Sequence, residues 1–152
     1  MTPSSMANSK AQSFRDLKVW QRSMELTIAT HRLTKGFPRE EVFALTSQMR
    51  RSAVSVPSNI AEGFGRMNRR ELKHFFLIAR ASNCELQTQL EIASLLGMGD
   101  PSLLDQSVAL SHEVGKNALR APGSIEDQER LTTVSLILCL SASLIHCPLE
   151  QT

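Results

Sequence analysis

LTSQMRRSAVSVPSNIAEGFGRMNRR, Leu45–Arg70, is the stretch whose reading decides the fold. With Val42 ahead of it, the apolar residues Leu45, Met49, Ala53, Val56, Ile60 and Phe64 follow in steps of 3, 4, 4, 3, 4 and 4, close to the coiled-coil repeat. The stripe keeps its phase through Pro57. Proline has no amide hydrogen, so it should strip the Ala53 carbonyl of its helical donor and kink the helix there. Unbroken phase predicts one bent helix rather than two helices with a loop. Ser55 and Ser58 are placed to satisfy backbone groups freed by the kink, and Gly63 and Gly65 are read as the stop. The start is predicted near Pro38 or Arg39, where Glu40 and Glu41 suit the positive end of the helix dipole.

Working outward, a first helix is predicted from Phe14 or Leu17 to Lys35. Leu17, Trp20, Met24, Ile28 and His31 share one face, and Val19, Leu26 and Leu33 form a second stripe. Two apolar faces imply burial on two sides, as in a bundle whose protomers also pack together. Gly36 is the expected stop. Downstream, Asn68 to Glu71 has the spacing of a capping box for a third helix. Leu72, Phe75, Phe76, Ala79, Leu86, Leu90 and Ala93 make its apolar face, with Asn83 among them, and Gly97 and Gly99 end it. Asp100-Pro101 opens a fourth helix carrying Leu103, Leu104, Val108, Val114, Ala118 and Leu119. The predicted architecture is an all-α, up-down antiparallel four-helix bundle over residues 14–120. Residues 1–13 read as a disordered leader without the apolar core of a signal peptide. Residues 121–152 form a C-terminal extension: Ser124 could cap a helix to about Ile145, or the serine- and threonine-rich apolar run could be a poorly folded extension.

The 152 residues suit one domain, and the 5% aromatic content without tyrosine suits helices more than sheets. The net charge of +2 hides an asymmetry: residues 1–80 hold 14 Lys/Arg against 6 Asp/Glu, and residues 81–152 hold 3 against 9. Such polarity points to an anionic partner or to charge-steered self-association. Cys84, Cys139 and Cys147 are widely spaced without a C-x-x-C pair, which argues for reduced thiols in a cytoplasmic protein and against a zinc site. The apolar run from Val134 to Ile145 is too short to span a bilayer.

The run Leu17–Gln21, then Phe37-Pro38, LTSQMRRSAVSVPSNIAEGFGR (45–66), Glu85–Leu90 and Leu96-Gly97 resembles the four helix bundle protein family. That family includes proteins encoded by intervening sequences in bacterial 23S ribosomal RNA genes, and it looks related to the accessory variability protein of diversity-generating retroelements. The resemblance covers roughly residues 14–120. It implies a bundle assembling into a ring, a pentamer with a basic face, and no established catalytic activity. In the retroelement branch it implies binding of a reverse transcriptase, and of nucleic acid through positive charge. The end of the fourth helix, Gly115–Arg120, departs from the family pattern by looking short.

Arg66, Arg69, Arg70 and Lys73 stand at i, i+3, i+4 and i+7, and with Arg50 they are the candidate phosphate-binding residues for RNA or DNA. The competing reading is a solvated face with ion pairs to Glu62 and Glu71. Gln48, Arg51, Ser55, Asn59 and Glu62 form a polar line best read as a seam between helices or protomers, with Arg51 mostly structural. Pairing Glu62 with Glu85 or Glu91 as acid and base is the enzymatic alternative, but no nucleophile–base pair or oxyanion site accompanies it. Glu71-x-x-His74 lacks the second such pair that a di-iron bundle needs. No catalytic residue, metal or cofactor is therefore expected. Cys84 reads as a small buried residue, and Trp20 as a core or interface anchor. The expected function is non-enzymatic binding of nucleic acid or a nucleoprotein by an oligomer. The alternative is a protein-interaction adaptor without nucleic-acid contact.

Overall fold

The computed structural model describes residues 11–66 and 68–119, and these form four α-helices and three short 3-10 turns with no strand. Helix α1 is Lys18–Leu33, α2 is Leu45–Gly65, α3 is Arg69–Leu95 and α4 is Pro101–Leu119. Each helix packs on two neighbours, and the contact between α2 and α3 is the most extensive. Cross-helix pairs fix the directions. Thr27 meets Ala53 and Thr34 meets Arg50, so α1 and α2 are antiparallel. Ser55 meets Ser82 while Gly63 lies against Leu72 and Phe75, which makes α2 and α3 antiparallel. Arg22 meets Glu113 and Leu33 touches Gly99, which does the same for α1 and α4.

The core is the stripe read from the sequence. Leu26, Leu33, Met49, Ala53, Val56, Ile60, Leu86, Leu90, Ala93 and Val114 are at most 3% exposed. Burying each Leu or Ile side chain stabilises the fold by about 1.5–3 kcal/mol. Hydroxyls inside this core bond to their own helices: Thr30 donates to the Leu26 carbonyl, Thr34 to Thr30 and Ser107 to Leu103. Asn83, 2% exposed, donates to the Ser111 carbonyl of α4 at 3.0 Å, which explains an amide on an apolar face.

Helix α2 runs through Pro57 without interruption. The carbonyl that Pro57 orphans, that of Ala53, accepts a hydrogen bond from Thr27 Oγ1 of α1 at 2.8 Å. The serines expected to serve the proline are engaged elsewhere: Ser58 bonds to the Val54 carbonyl, and Ser55 bonds across to Ser82 of α3.

Helix α2 also begins later than its stripe suggests. Residues Arg39–Glu41 make a 3-10 turn, and Ala44 adopts φ −102°, ψ −112°, which breaks the helical path. Val42 consequently lies outside the core at 45% exposure, and Phe43 is 93% exposed. Glu41 accepts from the Leu45 amide at 3.3 Å, so one of the two glutamates does serve the entry to α2. Gly63 is not a terminator. It lies inside α2 where a Cβ would stand 2.8 Å from Phe75 Cβ, so its lack of a side chain sets the approach of α2 to α3.

The remaining ends follow the sequence closely. Asn68 Oδ1 accepts from the Arg70 amide at 2.9 Å, capping α3 as a single N-cap without the reciprocal Glu71 bond of the expected capping box. At its other end the Met98 amide bonds to the Ala93 carbonyl and the Gly97 amide to Ser94, with Gly97 at φ +64°: a Schellman motif. Asp100 Oδ1 caps α4 through the Leu103 amide. An unforeseen capping box, Ser13 with Asp16, closes the turn Phe14–Asp16 and lays Phe14 edge-on to Trp20 with centroids 5.2 Å apart. Its signal was present, a serine followed three residues later by an acid. Among the described residues no helix is long and apolar enough to cross a membrane. The expectations for the leader before residue 11 and for residues 121–152 lie outside the described residues, as do Cys139 and Cys147.

Candidate nucleic-acid interface

One end of the bundle is built from the last turn of α2, the first turns of α3, the start of α1 and the end of α4. Arg69 and Arg70 are the first two residues of α3 and both are exposed. Their own helix gains nothing from them there. A cation at the positive end of the helix dipole costs about 0.3–1 kcal/mol. Among the described residues neither arginine enters an ion pair. Lys73, one turn on, is half-buried.

Arg66 differs from the helical face on which it was expected. It is the C-cap of α2 and not part of α3. Its Nη2 pairs with Glu62 Oε1 at 2.6 Å, and its guanidinium lies 5.4 Å from the centroid of the Phe75 ring. The hydrogen bond and charge of Glu62 hold its pKa above the ordinary value, despite some desolvation. Arg66 therefore flanks the two bare arginines with its charge partly compensated.

Arg50 does not belong to this end. Sixteen residues of continuous helix separate it from Arg66, about 24 Å at 1.5 Å per residue. It is half-buried, and its Nε donates to Thr34 Oγ1 at 2.9 Å, which ties α2 to the end of α1. Its charge also contributes, after burial, to holding the His31 pKa below the ordinary value. Arg51, read as the structural one of the pair, is exposed. The roles of the two neighbours are exchanged because one residue turns the side chain by about 100° around the helix. In place of Arg50, the antiparallel fold brings Arg15 to the basic end. The turn that holds Arg15 packs on both α1 and α2, and the Arg15 guanidinium lies 4.6 Å from the centroid of the Phe14 ring.

The polar line on α2 divides. Ser55 Oγ lies 2.9 Å from Ser82 Oγ, and Asn59 Nδ2 donates to the Ser55 carbonyl at 2.8 Å and to its hydroxyl at 3.0 Å. The Ser55–Ser82 bond joins α2 to α3, and half-buried Asn59 holds Ser55 from within α2. Gln48, Arg51 and Glu62 are exposed. Glu62 stands level with Phe75 in the α2–α3 register, so Glu85 lies about 15 Å further along α3 and Glu91 about 24 Å. The structure brings neither to Glu62.

Cys84 is exposed, contrary to its reading as buried, because it lies on the outer face of α3. A groove of about 530 Å³ runs between α1 and α4, lined in part by Ile28, Ala29, Arg32 and Leu110; at it the Arg22–Glu113 ion pair joins the two helices, while Arg22–Glu25 stays within α1. Among the described residues no three His, Cys, Asp or Glu side chains gather as they would around a metal ion.

Fold and site together define a four-helix bundle with one arginine-rich end. The family model described as the 23S rRNA-intervening sequence protein matches residues 15–119, and the chain belongs to that family. Among solved structures it is similar to a protein of unknown function from the S23 ribosomal protein family of Bacteroides thetaiotaomicron. Identity is 22% and the TM-score 0.62, with 67% of this chain and 95% of that one covered. No curated protein matches the chain.

Proposed function

We propose that this protein is a non-enzymatic, oligomeric bundle that binds nucleic acid or a nucleoprotein through its basic end. The observation that carries the reading is the pair Arg69–Arg70, exposed and without a carboxylate partner among the described residues, at a helix end where cations weaken the helix. Backbone amides of the first turn of α3 add to the positive potential there, which suits phosphate oxygens. Arg66 and Lys73 flank the pair, and Arg15 extends it.

A ring of protomers, a pentamer in the expectation from the resemblance, would repeat this modest patch and multiply its avidity. Apolar side chains left outside the core support self-association: Ile28 of α1 is 48% exposed, and Val54 of α2 and Leu77 and Ile92 of α3 are 40–46% exposed. A bend at Pro57 would set the tilt of the last turns of α2, which carry Glu62 and Arg66. The reading of the widely spaced cysteines as reduced thiols favours a cytoplasmic location for this role.

A second reading, an adaptor for a protein partner, is favoured by one observation. Phe43, Leu95 and Leu96 are 93%, 78% and 61% exposed, and the α2–α3 register places them level at the opposite end of the bundle. Reversing Arg66, Arg69 and Arg70 to Glu separates the two. Loss of binding to duplex RNA and DNA with an unchanged mass by light scattering supports the first reading. Collapse of the oligomer, or wild-type chains that bind neither nucleic acid at low salt, supports the adaptor.

A further inference from the structure

The basic end of the bundle is also its aromatic end. The chain has six phenylalanines and one tryptophan. Phe37 and Phe43 precede α2 at the far end, and Phe76 is buried at 7% exposure. The others, Phe14, Trp20, Phe64 and Phe75, stand at the arginine end, and each is only half-buried. The Thr27–Ala53 pairing sets the turn Phe14–Asp16 level with the last turn of α2, on which it packs. Gly63 against Phe75 brings the start of α3 to the same level.

Two of these rings carry an arginine. The Arg15 guanidinium lies over Phe14 at 4.6 Å from the centroid, and Trp20 meets the same ring edge-on at 5.2 Å. The Arg66 guanidinium lies over Phe75 at 5.4 Å, and exposed His74 meets that ring edge-on at 5.6 Å. Glu62 holds Arg66 from a second side, yet the Arg66 side chain keeps 50% exposure. A carboxylate bonds to the edge of a guanidinium, in its plane, so the pair offsets charge without covering the outer face. Arg69 and Arg70 differ: they have no ring and no carboxylate among the described residues. The same end therefore holds bare cations, suited to phosphates, and ring-backed guanidinium groups, suited to flat partners. Unpaired bases stack on aromatic rings and on guanidinium planes. In a duplex those base faces are hidden, and the protein meets phosphates, sugars and groove edges.

We infer that the basic end takes unpaired nucleotides, with bases stacked on the Arg15–Phe14 and Arg66–Phe75 pairs and phosphates held by Arg69 and Arg70. The inference rests on the proposed nucleic-acid reading and names the form of nucleic acid: a single strand, a loop or an overhang. It also gives a role to Arg66, whose charge is too well compensated for it to serve mainly as a phosphate contact.

The probes are oligouridylate and oligodeoxyuridylate, which differ only in the 2′-hydroxyl, and fully paired RNA and DNA duplexes of the same length. A surface that reads phosphates alone favours the duplex, whose charge is denser at one per about 1.7 Å of axis. The single strands should instead bind about five- to tenfold tighter than the duplexes. Phe14→Leu/Phe75→Leu keeps apolar volume at both positions and removes the rings. It should weaken single-strand binding by about tenfold, leave duplex binding within about twofold, and leave the single-strand salt slope unchanged. Thermal melting shows whether the variant is folded, and a second measurement uses wild type alone. Trp20 is the chain's one tryptophan and lies against Phe14, so a base stacked there should quench its fluorescence; single strands should do so and duplexes should not. Duplexes bound as tightly as single strands, equal losses for both in a folded variant, or unchanged Trp20 fluorescence on single-strand binding would overturn the inference and leave the proposed function standing. No binding of any probe at low salt would defeat the proposed function, and the inference with it.

Discussion

Replacing Gly63 by alanine sets two effects of opposite sign against each other. Within a helix, alanine is favoured over glycine by about 0.8–1 kcal/mol. The new Cβ, however, would lie 2.8 Å from Phe75 Cβ and 3.3 Å from the Leu72 carbonyl oxygen. Carbon atoms settle at about 3.5–4.0 Å, so α2 and α3 must separate locally by up to an ångström. The obstructing Phe75 atom is attached directly to the backbone, and no rotamer change moves it. Overpacking of this kind costs about 1–3 kcal/mol. The net expectation is a loss of about 1 kcal/mol, roughly 4–8 °C in Tm for a domain of about a hundred residues. Gly65, two positions on, is the internal control. It is helical, and a Cβ there meets nothing within 4 Å. Gly65→Ala should therefore gain up to about 0.5–1 kcal/mol, less if the helix end frays. Thermal and urea denaturation of both variants read the difference. Stabilisation by both, or equal loss by both, would refute close approach as the reason for Gly63.

Thr27→Val removes the hydroxyl that serves the Ala53 carbonyl opposite Pro57 and should cost about 1–3 kcal/mol by urea titration. Thr88→Val, whose exposed hydroxyl bonds only within its own helix, should stay within about 0.5 kcal/mol of wild type. Asn68→Ala should cost about 0.5–2 kcal/mol and raise amide exchange in the first turn of α3. His31 carries a pKa lowered by burial and then by Arg50 and Lys35, so the folded state binds fewer protons than the unfolded chain. Its neutral form is tolerated above the ordinary value of 6.5, and stability should fall as pH drops below it; His31→Gln should flatten a Tm–pH series over that window.

Local signals carried much of the fold into view from the sequence alone. Asn68, Gly97 and Asp100 act at helix ends through neighbours a few residues away, and each end fell where its cap placed it. The Leu45–Phe64 stripe likewise reports a face of one helix. What escaped depends on distant chain. Val42 continues the period and yet lies outside α2, because the backbone at Ala44 breaks the helix. The donor for the Ala53 carbonyl is Thr27, 26 positions earlier, and only the fold reveals it. Gly63 resembles a stop in sequence because close helix approach leaves no local mark.

The candidate site was legible in part for the same reason. Arg69 and Arg70 are adjacent in sequence and in space. Arg50 was grouped with them although a rigid helix holds it about 24 Å from Arg66. Arg15, far away in sequence, joins them only through antiparallel packing. Arg66 kept the expected end but turned towards Glu62.

The most direct measurement of the central claim is the salt dependence of duplex RNA and DNA binding by wild type and by Arg69→Gln/Arg70→Gln. Each phosphate contact contributes about 0.9 to the slope of log K against log salt on B-form DNA. Losing both arginines should flatten that slope by about 1.8 per protomer engaged, and weaken binding similarly across sequences. An unchanged slope in the double variant, or wild-type binding indifferent to salt, would contradict a phosphate-contacting role for the first turn of α3.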